Sequence, residues 1–404
     1  MGKIIPNVKT SYRNFIILWI RDIFTTAAAS LTSSSVLSAI LLYIGLSESK
    51  IGIYLSVIPA VNFVISLSFS SSAGRSKHIV GFYSALCLAS GVITALFAVL
   101  FVMPSESGIF FPLLLVLGGL LSATSAVKMI FDYQIPCKVM DLKHYSMFIS
   151  VDGIVTGISG IVSGAVFTFC IKSFDYFKTS CIAFFVAGAL LAVAALINRS
   201  LKSVTSEEKK EEKTKVSIVD LWRDRYFRIL FVPNILRGVA AGVMTMITVI
   251  AANAIGVAES DGGVITTCTY IATFLSCILY GVITPKLRAP KMCLLGALVF
   301  CLMIPAFAKG KILFFILYCI AYIGYNIVCN ALPEMIYQNV SSELMSSFHT
   351  WRLALTTLGT ICSTALFGIM LGKVSPIVIL IIGVAAHTVM CLVYYLCFRN
   401  VSKK

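Results

Sequence analysis

Residues 79–103 read IVGFYSALCLASGVITALFAVLFVM, without one charged side chain. A helix rises about 1.5 Å per residue, and about twenty apolar residues cross the roughly 30 Å hydrocarbon core of a bilayer. The pattern recurs along the chain. Twelve apolar stretches fill the 404 residues, over 13–44, 51–71, 79–103, 109–133, 145–171, 179–197, 226–255, 263–284, 292–308, 311–333, 346–371 and 375–398. Helices are implied, because barrel strands alternate apolar and polar positions and leave no unbroken runs. The composition agrees: 59% hydrophobic, 12% charged, mean hydropathy +0.96, outside the range of a soluble domain. The chain reads as an all-α, multi-pass membrane protein, so its function rests on the few polar groups it buries.

A net charge of +15 suggests nucleic acid, but the placement of the charge argues otherwise. With twelve spans both termini share one side. That side carries 22 Lys/Arg, nine of them between Arg199 and Arg228, against six on the other (Lys50, Lys172, Lys178, Lys309, Lys311 and Lys373). The positive-inside rule then places both termini in the cytoplasm of a cell membrane, plasma or inner. The basic excess is topology, with attraction to anionic lipid as a secondary effect. No cleavable signal peptide is expected, since the opening residues are polar and the first apolar run is too long for one. The 13 cysteines show no metal-ligand spacing and read as small core residues; Cys170 and Cys181 alone are placed to bridge, across an outer loop.

The longest polar segment, 198–225, contains the mixed-charge run Glu207-Glu208-Lys209-Lys210-Glu211-Glu212-Lys213 and reads as a cytoplasmic linker between halves 1–197 and 226–404. Val216–Arg228 is expected along the membrane interface. The halves resemble one another. A shift of 211 sets Glu48-Ser49 on Glu259-Ser260 and Gly52 on Gly263, and a shift of 212 sets Ala85-Leu86 on Ala297-Leu298. A shift of 200 pairs Phe148, Thr156, Ile161, Ser163 and Phe167 with Phe348, Thr356, Ile361, Ser363 and Phe367. Parallel six-helix repeats are a plan of secondary transporters, with the solute held near mid-membrane between them.

Over nearly its whole length the chain resembles the major facilitator superfamily. The 6+6 plan, the charged central loop, and Gly45-Leu46-Ser47 followed by Ile51-Gly52 at the start of the second helix carry the resemblance. Two family motifs are reduced. Gly74-Arg75-Ser76-Lys77 keeps the basic residues of the loop after helix two and lacks its acid, and helix five keeps Gly153, Gly157, Gly160 and Gly164 without the proline of the antiporter motif. The resemblance implies that helices one, four, seven and ten line a central cavity, with five and eleven adjoining it.

The intramembrane charges are Arg21 and Asp22, Lys128, Asp152, Arg237 and Arg352, all on lining or adjoining helices; Asp132 and Glu334 lie at span ends. A buried charge costs about 2.5–3.5 kcal/mol on insertion scales, so each calls for a reason. Asp22 and Lys128 fall at similar depth, which suggests a pair that opens when Asp22 takes a proton; the alternative is a local pair of Asp22 with Arg21. Tyr322, Asn326, Asn330 and Glu334 recur every fourth residue and are expected on one cavity-lining face. Asn234, Arg237 and, on span one, Arg21 and Thr25 are expected at the substrate. Asp152 and Arg352, equivalent in the 200-residue register, suggest a gate, with Glu334 near it.

No catalytic grouping, metal cluster or phosphate-cradling loop is present, so an enzyme is not expected and no cofactor is implied. Three readings remain. A monomeric, proton-coupled exporter of amphipathic small molecules ranks first, on Asp22. A transporter of organic anions (phosphate esters or carboxylates) ranks second, on Arg21 and Arg237, whose guanidinium forks suit such groups. A transporter-shaped sensor or lipid-handling protein ranks third.

Overall fold

The structure is a computed structural model that describes residues 8–69, 79–132, 135, 139, 145–202, 222–283, 287–307, 310–339 and 342–399. The Gly74–Lys77 motif and the linker run Glu207–Lys213 lie outside the described residues. Twelve helices among them are long and apolar enough to cross a membrane: Tyr12–Tyr43, Glu48–Ile65, Ile79–Phe101, Phe110–Met129, Val151–Ser173, Tyr176–Asn198, Arg225–Thr245, Gly262–Ile283, Ala289–Ala306, Lys311–Ile336, Trp351–Met370 and Pro376–Phe398. Each overlies one of the stretches read from the sequence, and they are numbered here as spans one to twelve. In every span half of the residues or fewer are buried inside the protein, leaving apolar side chains such as Val92, Leu96 and Val99 exposed for lipid.

Two spans are broken at equivalent places. Span one is a helix over Val8–Leu31 followed by a second over Ser34–Tyr43. At the junction the Thr32 hydroxyl donates back to the Ala28 carbonyl at 2.9 Å, a bond that competes with the helical ladder. Beyond Arg225–Thr245, span seven continues after Met246 as Ile247–Ile255, and the Met246 N–H is shared between the Gly242 and Val243 carbonyls. Met246 follows Ser33 by 213 residues, beside the registers that relate the two halves.

Glycines bring helix backbones together where side chains would hold them apart. A Cβ on Gly91 of span three would lie 2.7 Å from the Gly188 carbonyl oxygen of span six, and one on Gly188 only 2.6 Å from that of Gly91. Gly296 and Gly324 do the same for spans nine and ten, at 2.6 and 2.5 Å. Such close approach supplies the van der Waals contact that holds helices together in lipid, where the hydrophobic effect does not.

Two compact units emerge: Met1–Ser33 with Val61–Lys213, and Ser34–Ala60 with Thr214–Lys404. The hairpin Ser34–Ala60 therefore packs with residues that follow the linker. Inside that second unit a Cβ on Gly262 would meet Ala39 and the Ser35 carbonyl at about 3 Å, and one on Gly52 would lie 2.5 Å from the Gly368 Cα. Cys170 and Cys181 are both free thiols, so the bridge expected across the outer loop does not form. Of the expected interfacial stretch, Val216–Leu221 lies outside the described residues; Trp222 is exposed, and Asp224 caps the helix that follows by accepting the Phe227 N–H at 2.9 Å.

Candidate functional site

In the first unit the two charges of span one satisfy each other. Arg21 donates through Nε to Asp22 Oδ1 at 2.7 Å, and its Nη2 lies at the same distance from that oxygen. The guanidinium also reaches Asn198 Oδ1 at 3.5 Å and lies 4.9 Å from the centre of the Tyr83 ring, a cation–π arrangement. Asn198 in turn donates to the Val80 carbonyl and to Ser84 Oγ, both at 3.0 Å. Arg21 thus points among spans three and six, with 3% of its side chain accessible, rather than standing open for a substrate. Asp22 does not pair with Lys128: its ion pair is with Arg21, and half-buried Lys128 forms none among the described residues. Thr25 donates to the Asp22 carbonyl at 3.2 Å, within its own helix.

The second unit arranges its arginine differently. Arg237 lies in the middle of span seven, and its Nη2 finds only the Cys329 sulfur, at 3.7 Å. Nη1 is buried and has no hydrogen-bond partner among the described residues. The groups close enough to act on its charge are Cys329 and Tyr325 of span ten and Tyr394 and His387 of span twelve, with no carboxylate among them. Asn234 does not reach across to it as a counter-group: its amide nitrogen donates to the Leu230 carbonyl at 2.7 Å, and its oxygen accepts the Tyr394 hydroxyl at 2.9 Å. In the 212-residue register Asn234 stands where the first half has Asp22. In the same register Arg237 falls on Thr25, one turn from Arg21, so the two arginines are neighbours in the repeat rather than exact counterparts.

The polar residues of span ten face a partner that the sequence reading did not name. Tyr318 shares a 2.8 Å hydrogen bond with Thr269 of span eight, and Asn326 donates to Thr273 at 3.1 Å. The Tyr280 hydroxyl donates to the Glu334 carboxylate, and Asn330 is half-buried one turn beyond Asn326. Residues 269, 273 and 280 lie along one face of span eight, so the three bonds form a polar ladder between spans eight and ten. Asn326 and Glu334 thus have partners on span eight. Tyr322 departs from this line, lying instead in the series of tilted rings Tyr318, Tyr322, Tyr325 at 5.7 and 5.6 Å.

Asp152 belongs to the first compact unit and Arg352 to the second. Each has its backbone carbonyl capped by the threonine four residues on, Thr156 at 2.7 Å and Thr356 at 3.0 Å. Arg352 is buried, and its charge reaches Tyr394, the residue that also senses Arg237. His387, Tyr325 and Cys329 were not singled out from the sequence. One signal was available: His387 is one of four histidines and stands at mid-depth of a span.

Solved structures give the fold its family. A nucleoside transporter, NupG, in the crystal structure of a point mutant, matches over 95% of this chain and 100% of its own, with TM-score 0.74 and 14% identity. A bacterial homologue of the human lysosomal transporter Spinster covers 96% and 97%, with TM-score 0.70 and 16% identity. A bacterial homologue of the iron transporter ferroportin covers 96% and 99%, with TM-score 0.65 and 14% identity. This is the major facilitator fold. No family model and no curated protein matches the sequence. Among the described residues, Arg237 forms no ion pair.

Proposed function

We propose that the protein is a secondary transporter of a small organic anion, a carboxylate or phosphate ester, and that Arg237 anchors it. The observation that carries this reading is a permanently charged guanidinium inside a span with a buried, unpartnered Nη1 and only a thiol at Nη2. Removing such a group from water without an opposite charge is expensive, and a buried charge in a membrane helix marks a site by default. An anion bound there supplies the missing charge through the paired N–H geometry at which arginine excels. The neighbours share the fold while their names point to different cargo, nucleoside in one case and iron in another, so the substrate class rests on this chain's own residues. The distribution of lysine and arginine supports a cytoplasmic side for both termini.

The test is uptake or counterflow in proteoliposomes against carboxylates, phosphate esters and lipophilic cations, with Arg237→Gln beside the natural protein. Saturable flux of one anionic class that disappears in the variant is expected. Flux of anions unchanged by Arg237→Gln would remove the reading.

Proton-coupled efflux of amphipathic compounds is the second reading, and one feature favours it. Asp22 is the more accessible member of its pair, 13% against 3% for Arg21. If Asp22 takes a proton, Arg21 keeps Asn198 and the Tyr83 ring, so the event does not strip the cation bare. Loss of gradient-driven cation flux in Asp22→Asn, with folding intact, would favour this reading over the first.

A further inference from the structure

His387 is 1% exposed, and neither of its ring nitrogens has a hydrogen-bond partner among the described residues. Its ring lies between Phe300 of span nine, 4.6 Å centre to centre, and Tyr325 of span ten, at 5.3 Å. Tyr325 stands one helical turn before Cys329, whose sulfur Arg237 reaches at 3.7 Å, so His387 and Arg237 both contact the same stretch of span ten. Two buried groups that carry N–H donors therefore share one interior region, and among the described residues Arg237 Nη1 and both His387 nitrogens have no hydrogen-bond partner. The side chains around them are Phe300, Tyr325, Cys329, Cys391 and Tyr394, and the Tyr394 hydroxyl is already given to Asn234. Nothing on these walls offers a negative charge. A neutral imidazole donates at one nitrogen and accepts at the other, so it can complete the coordination of an oxyanion that a guanidinium holds.

We infer that His387 is the second polar group of the Arg237 site, donating an imidazole N–H to the same bound carboxylate or phosphate. This rests on the anion reading above and extends it to span twelve. The aromatic rings against the imidazole and its burial keep water away, which keeps a single N–H···O bond strong.

The experiment is thermal stabilisation of the purified full-length protein by inorganic phosphate, benzoate and chloride, each titrated to half-effect. The natural protein, His387→Phe, His387→Gln and Arg237→Gln are compared. An oxyanion is expected to stabilise the natural protein. His387→Phe should raise its half-effect concentration about tenfold, the equivalent of one lost hydrogen bond of about 1.4 kcal/mol. His387→Gln, which restores an N–H at similar reach, should recover most of that loss. Where the phenylalanine variant does not fold, His387→Leu takes its place. An unchanged half-effect in His387→Phe or His387→Leu, with stabilisation abolished in Arg237→Gln, overturns the role of His387 and leaves the anion site standing. Absence of any anion effect on the natural protein, or one that survives Arg237→Gln, overturns both.

Discussion

Arg21 and Arg237 occupy the first span of their respective halves, yet their surroundings are opposites. Arg21 meets a carboxylate, an amide and a tyrosine ring face; Arg237 meets a thiol on one nitrogen and no hydrogen-bond partner on Nη1. The same residue type at similar depth is thus a closed structural element in one half and an open electrostatic demand in the other. The 212-residue register sets Asn234 on Asp22 and Arg237 on Thr25, one turn from Arg21, so the second half keeps an arginine near that level without an acid beside it. Divergence between halves, rather than the presence of charge, is what marks a site.

Four measurements break or sharpen this contrast. Asp22→Ala leaves Arg21 buried without its carboxylate and should cost about 3–5 kcal/mol of stability, read as a large fall in melting temperature. A fall no larger than that of a surface variant would show the Arg21 pair to be dispensable. Asn234→Asp, three residues before Arg237 on the same helix, installs the missing acid and should weaken anion binding about a hundredfold while leaving the protein at least as thermostable. Unaltered anion affinity in that variant would mean that the symmetry argument has no bearing on the site. Tyr280→Phe removes the donor to Glu334 and should destabilise by about 1–3 kcal/mol, detectable by thermal unfolding in detergent. Thr273→Val deletes one rung of the ladder between spans eight and ten, and membrane hydrogen bonds of that kind contribute only about 0.6 kcal/mol. A shift near the limit of measurement is expected there, with transport retained.

Much of this architecture was legible in the chain itself, because length and apolarity alone mark a membrane span. The twelve stretches, the half-repeat and the list of buried charges follow from local properties. Partner choice does not. Depth put Asp22 level with Lys128, but the long Arg21 side chain folds back on its neighbour and takes the carboxylate first. The four-residue spacing of Tyr322, Asn326, Asn330 and Glu334 was visible, and so was the helical spacing of Thr269, Thr273 and Tyr280; only tertiary structure sets the two rows against each other. His387 went unnoticed because attention rested on lining helices, and a histidine between aromatic rings leaves no periodic trace. The breaks at Thr32 and Met246 were equally hidden, since serine, threonine and methionine are ordinary residues within apolar spans.

The hairpin Ser34–Ala60 belongs by contact to the unit that begins after the linker, although it is made first. A ribosome delivers this hairpin to the membrane well before Gly262 and Gly368 exist to receive it. Its outer end must therefore wait, with Gly52 facing lipid or other early helices, until spans eight and eleven arrive. Completion of the second unit is for that reason an act of capture, and a chain interrupted at the linker would leave the second fragment without its hairpin and the first with a hairpin that has nothing to join.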